Sequence, residues 1–247
     1  MLRSLLLLAL LMPAAAAQTL WTVSARQSAT VFDDDRAAWL ESEVGVERRL
    51  RRGAVAVGAG RAERFDAAAA YGVLDVYHGL AGRVYGNVRA RVAPGAETVA
   101  QRDLLAELYA GLPGGIEVSG GVRRIDYAAD GATLLLASAT AFRPAGRLRA
   151  RVALTPTDSA TAVSAGLTAR LDHRPTPETS FLSVRGGRAQ EVVAVPGGAV
   201  SVRTSWDLGV GGRLRLGRRA ALDLSGGRTW GGGLDGFTGD ARLSVRF

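Results

Sequence analysis

The chain contains no cysteine, no lysine and only two histidines among its 247 residues. Without cysteine there is no disulfide framework, zinc ribbon, thiol nucleophile or lipidated cysteine. His78 and His173 alone leave little room for general-base or metal chemistry. Proline is sparse, at 8 residues, and aromatic residues make up 6%. After the N-terminus no run approaches the roughly 18 apolar residues that a membrane-crossing helix needs. The 47% of hydrophobic residues excludes a wholly disordered chain, and the 32 glycines keep no triplet period, which excludes collagen. The net charge of +8 is carried by arginine alone. That bias reflects a GC-rich coding sequence as much as function, and no nucleic-acid partner is expected from it.

Met1, Leu2 and Arg3 form a short positive segment, Leu5 to Met12 an apolar one, and Ala15-Ala16-Ala17 a small-residue cleavage site. Residues 1–17 therefore read as a signal peptide cut near Ala17, and residues 18–247 as one mature domain.

From Gln18 onward apolar residues recur at every second position, the period of strands whose two faces meet different surroundings. Val84, Gly86, Val88, Ala90 and Val92 alternate with Tyr85, Asn87, Arg89 and Arg91, and Leu148, Ala150, Val152 and Leu154 with Arg147, Arg149 and Arg151. One face reads as purely apolar, and the other carries charge even at mid-strand. Turn signals such as Arg51-Arg52-Gly53, Pro113-Gly114-Gly115 and Asp130-Gly131 divide the chain into about 14 strands, with about 12 to 16 allowed. The first is expected over 20–26 and the eleventh over 179–188.

Odd-numbered links hold the longer polar stretches, Gln27 to Ala38, Pro94 to Gln101, Ala189 to Ala199 and Gly231 to Gly236, whereas even-numbered links are mostly tight turns. Short turns on one side and long loops on the other suit an outer-membrane barrel with both termini in the periplasm. In lipid the sheet must close, because an open edge would strand backbone N–H and C=O groups. The expected fold is all-β, a transmembrane antiparallel up-and-down barrel. The last strand alternates to its end, and Leu243, Val245 and Phe247 form the kind of terminal aromatic signal that the barrel-assembly machinery reads. Trp21, Trp39, Tyr71, Tyr109, Phe142, Trp206, Trp230 and Phe237 fall near strand ends, where interfacial girdles lie.

The run Ala106 to Val152, AELYAGLPGGIEVSGGVRRIDYAADGATLLLASATAFRPAGRLRARV, resembles the central segment of the YaiO family of outer-membrane β-barrels. Glu107-Leu108-Tyr109 precedes a glycine-bounded turn, a strand with Gly121 and Arg123, and Tyr127. The resemblance runs on through Ser205 to Leu216 (SWDLGVGGRLRL) and the C-terminal strand, and Val31 to Val44 resembles the family loosely upstream. It implies an outer-membrane location and a link to surface polysaccharide. Some family members carry a helical repeat domain, and none is expected in these residues.

Chemistry-bearing residues are few. His78 and His173 fall at expected periplasmic turns, away from the outer rim where barrel enzymes place their bases, and no His-x-Ser arrangement occurs. Glu41, Glu43 and Glu47 share a strand face, which suits inward charge balancing arginine better than a glycosidase carboxylate pair. Asp33-Asp34-Asp35 reads as a solvated loop without calcium-loop spacing. No catalytic residue, metal site or cofactor is expected.

The charged face reads as the lumen wall. Arg89, Arg91, Arg123, Arg147, Arg149, Arg151, Arg213 and Arg215 share it with Glu41, Glu43, Glu107 and Tyr109. Complete pairing would make a plugged structural or docking barrel, and surplus arginine would make a narrow conduit for anionic solute or polysaccharide export. An outer-membrane lipid- or glycan-modifying enzyme ranks behind both. The expected surroundings are outer-membrane lipid and lipopolysaccharide.

Overall fold

The computed structural model describes residues 21–157, 161–172, 180–194, 200–233 and 235–247. The expected signal peptide and His173 lie outside the described residues. Fourteen strands are found among them: β1 Trp21–Phe32, β2 Trp39–Leu50, β3 Gly53–Arg64, β4 Ala67–Ala81, β5 Val84–Val92, β6 Arg102–Leu112 and β7 Ile116–Asp126. The series continues with β8 Gly131–Arg143, β9 Gly146–Pro156, β10 Thr161–Asp172, β11 Phe181–Ala194, β12 Val200–Arg215, β13 Ala220–Gly231 and β14 Gly236–Arg246. Each strand pairs antiparallel with its sequence neighbours, and β1 pairs with β14, so the sheet closes on itself. The Phe247 amide donates to the Trp21 carbonyl at 3.0 Å, so both chain ends meet at one rim, here the terminal rim. The opposite end is the far rim.

The period-two pattern becomes two faces. Leu108, Leu182, Val210 and Leu243 are exposed on the outside. So wide an exposed apolar surface would be a liability in water and is what lipid requires. The outer face is not purely apolar: near the far rim the ion pairs Arg61–Glu63 and Arg124–Asp126 take outward positions. Charge is tolerated there because the cost of a lipid-facing charge falls towards the membrane interface.

Three expectations are corrected. First, β1 runs on to Phe32 and β11 to Ala194, well past their expected ends. Polar residues there look like loop, but Gln27 and Ser42 pair across β1 and β2, Ser42 donating to the Gln27 side chain, so the strands continue. Second, the links are only partly sorted by side. Phe65-Asp66 alone joins β3 to β4 at the far rim, on the side expected to hold the longer loops, and residues 173–179 of the β10–β11 link lie outside the described residues. Both residues of that tight turn have positive φ, 51° and 62°, and Trp39 packs edge-on to Phe65 at 5.3 Å. Third, Trp39, Tyr71, Tyr109 and Phe142 take inward register positions, whereas Trp21, Trp206, Trp230 and Phe237 stay outside. Nearness to a strand end sets depth, but residue parity sets the face.

Candidate functional site

Contacts between strands that are not neighbours identify the inner wall. Arg91 on β5 reaches Glu41 on β2 at 3.3 Å, and Arg151 on β9 reaches Glu107 on β6 at 3.3 Å. Each passes over two intervening strands spaced about 4.8 Å apart, which is possible only through the interior. By register, Arg89, Arg123, Arg147, Arg149, Arg213, Arg215, Glu43 and Tyr109 share this inward face.

One wall is a tight polar cluster. The Tyr71 hydroxyl lies 3.0 Å from a Glu41 oxygen and 3.2 Å from a Glu43 oxygen, and the Arg91 guanidinium sits 3.6 Å from the Tyr71 ring centroid. Tyr71 is 4% exposed, which is possible because β3 opposes it with Gly60. The link 93–101 folds in over this cluster: Ala93, Ala96 and Val99 are buried against Ala62 and Tyr71. The Ala93 amide donates to the Gln101 carbonyl and the Gln101 side chain to the Ala96 carbonyl, so the inward excursion is closed by its own hydrogen bonds.

A second cluster spans β5 to β9. Glu107, its side chain 1% exposed, accepts from Ser119 at 2.6 Å and from Arg151, with Arg149 at 3.7 Å. Tyr85 and Tyr109 stack at 4.6 Å, and the Tyr85 hydroxyl donates to Glu117. Arg123 holds Asp103, and Arg213 holds Asp223, each through two hydrogen bonds. Bidentate pairs of this kind fix guanidinium direction as well as charge.

Pairing is incomplete. Among the described residues no carboxylate pairs with Arg89, Arg147, Arg185, Arg215 or Arg242. Arg149, Arg151 and Arg185 line a cavity of about 250 Å³ in which Asp207 is the only carboxylate among the described lining residues. A larger space of about 510 Å³ lies towards β1 to β5, where Arg26, Arg89, Arg213 and Arg242 face Glu43, Glu47, Asp75, Asp223 and Asp240. The lumen thus has a nearly balanced side and a basic side. Two carboxylates of the first far-rim loop are engaged: Asp33 accepts from Arg228, and the Arg36 guanidinium beside Asp34 holds that carboxyl below the usual range. His78 stands at the terminal end of β4, where no side-chain hydrogen bond joins it to a described serine or carboxylate.

The terminal strand follows the expected pattern of faces. Leu243 and Val245 alternate with the inward Arg242 and Arg246, and β14 is the strand that closes on β1.

A family model described as the YaiO membrane beta barrel domain matches residues 21–191, from the first strand into β11. The chain belongs to the YaiO family. The match stops before Ser205 to Leu216 and the C-terminal strand, which nevertheless complete this YaiO barrel. No curated protein matches the chain. Among solved structures, a bacterial polysaccharide outer-membrane secretin superposes with a TM-score of 0.59 at 9% identity, covering 94% of this chain and 100% of the other. The CymD monoaromatic hydrocarbon channel gives 0.58 at 10%, covering 94% and 89%. OmpF of Salmonella typhi, in complex with daunomycin, gives 0.51 at 8%, covering 92% and 97%. At such identities the likeness is one of fold, the closed antiparallel β-barrel that the YaiO chain shares with them.

Sequence reasoning reached the charged residues of the lumen but not its shape. The inward link 93–101 reads only as a polar loop. Leu105 and Leu136, inward on β6 and β8, break the polar face without any periodic signal. The reach of Arg151 over two strands has no counterpart in sequence spacing.

Proposed function

We propose that this barrel is a narrow outer-membrane passage for anionic solutes, acidic saccharides among them, with its terminal rim in the periplasm. The observation that carries the reading is the basic cavity, where Arg149, Arg151 and Arg185 surround space with Asp207 as the one carboxylate among the described lining residues, and Arg149 and Arg151 share the single carboxylate of Glu107. Guanidinium groups lining a confined aqueous space attract anions and repel cations. The fold likeness to a polysaccharide secretin agrees with a saccharide as cargo, but the charge argument rests on this chain's own residues. In this reading the chain is exported on a cleaved signal ending near Ala17, and Leu243, Val245 and Phe247 serve its insertion by the barrel-assembly machinery. It sits among outer-membrane lipid and lipopolysaccharide, and it transports rather than catalyses, without a cofactor.

A second reading, a plugged docking barrel, is favoured by one feature. The Tyr71, Glu41, Glu43 and Arg91 cluster, under the inward link 93–101, fills part of the lumen. Liposome swelling separates the two. A passage for anions admits galacturonate faster than glucose, and Arg149→Glu with Arg151→Glu removes that advantage. A barrel that passes neither sugar would favour the plug.

A further inference from the structure

At the terminal rim lies a small concave space of about 190 Å³ in which seven of the twelve lining residues are arginine. Arg49 comes from β2, Arg213 and Arg215 from β12, Arg218 and Arg219 from the turn after β12, and Arg242 and Arg246 from β14, with Glu47 as the only carboxylate among the described lining residues. The strand members occupy inward register positions, so the cluster faces the lumen mouth and not lipid. Asp223 engages Arg213, and Glu47 stands 4.0 Å from Arg49. Among the described residues no carboxylate pairs with Arg215, Arg218, Arg219 or Arg242. Arg215 donates to the carbonyls of Gly217 and Arg218, and Arg242 to Ser24, which orients both guanidinium groups without neutralising them.

Several like charges held in one partly enclosed mouth repel one another, and that repulsion is relieved when oxyanions bridge the guanidinium forks. We infer that this vestibule is a binding site for a multivalent oxyanion, one carrying phosphate or carboxylate groups spaced to meet several arginines at once. It shares Glu47, Arg213 and Arg242 with the 510 Å³ lumen cavity, so a bound anion stands at that cavity's entrance. The inference deepens the passage reading by naming its docking point, yet binding itself requires no conduction.

The test is isothermal titration of the refolded full chain in zwitterionic micelles with tripolyphosphate and, separately, tetragalacturonate. Saturable binding of either is expected, weakened about tenfold or more in Arg218→Gln/Arg219→Gln and unchanged in Arg61→Gln, whose side chain is outward at the far rim. Tripolyphosphate alone would assign phosphate chemistry, and tetragalacturonate alone the carboxylates of an acidic saccharide. No binding of either, or equal binding by the double variant, overturns the site. Phenylglyoxal labelling of the unaltered protein gives a check free of folding effects: the bound oligoanion should protect Arg215, Arg218, Arg219 and Arg242, and unchanged labelling overturns the inference. A barrel silent in bilayers that still binds would retain the site and lose the passage. A conducting barrel that binds neither would do the reverse.

Discussion

Glu107 on β6 accepts a hydrogen bond from Arg151 on β9, 3.3 Å away through the lumen, across the two strands that separate them. Its own side chain is 1% exposed, and Arg149 stands on the same carboxylate at 3.7 Å. β7 makes room with Gly121, where a Cβ would lie 2.9 Å from the Glu107 Cα. One carboxylate therefore restrains two arginines. Removing one partner of a buried pair commonly costs about 3–5 kcal/mol, but these arginines are partly solvated, so Glu107→Gln is expected to destabilise the barrel by about 1–3 kcal/mol. Urea unfolding in lipid vesicles measures this. The freed arginines should also strengthen any preference for anions.

Tyr71 rests on Gly60, where an added Cβ would approach the tyrosine ring and the Ser42 carbonyl to 2.4 Å. Gly60→Val should displace the ring, separate it from Glu41 and Glu43, and cost about 1–3 kcal/mol by overpacking. Tyr71→Ala should instead widen the lumen and raise single-channel conductance. Unchanged conductance in Tyr71→Ala would mean that this cluster does not border the path.

The link 93–101 buries Ala93, Ala96 and Val99 inside the far half of the barrel. Shortening it by deleting residues 95–98 is expected to leave heat-modifiable gel migration intact and to increase conductance. A deletion variant with the conductance of the parent protein would place the narrowest point elsewhere.

The fold was legible because lipid imposes a strict alternation. The pattern Val84, Val88 and Val92 against Tyr85, Arg89 and Arg91 gives both the strand and its faces, and the observed β5 follows it. Strand ends were less legible where both faces turn polar beyond the lipid, as at Gln27 and Arg188. The lumen's interior was legible only as a set of charges. Which arginine meets which carboxylate depends on the stagger of strands around a closed sheet. The Arg91–Glu41 pair joins residues 50 apart, and no local spacing encodes it.

The two faces can be tested directly. Val210 is 59% exposed on the outer face, and an arginine placed on the lipid face costs about 2–4 kcal/mol at mid-membrane. Val210→Arg should lower folding free energy in vesicles by an amount of that order. Ser28→Arg, inward and opposite Asp240, should cost much less. Equal penalties would mean that the faces are misassigned.

Anion transport in this barrel follows the basic side of the lumen. Its most direct measurement is the reversal potential of the refolded protein in a planar bilayer under a potassium chloride gradient. Passage along Arg149, Arg151 and Arg185 predicts a potential of the sign set by chloride, moving towards the potassium side in Arg149→Glu. Discrete conductance with a potassium-signed potential in the unaltered protein, indifferent to Arg149→Glu, would contradict it.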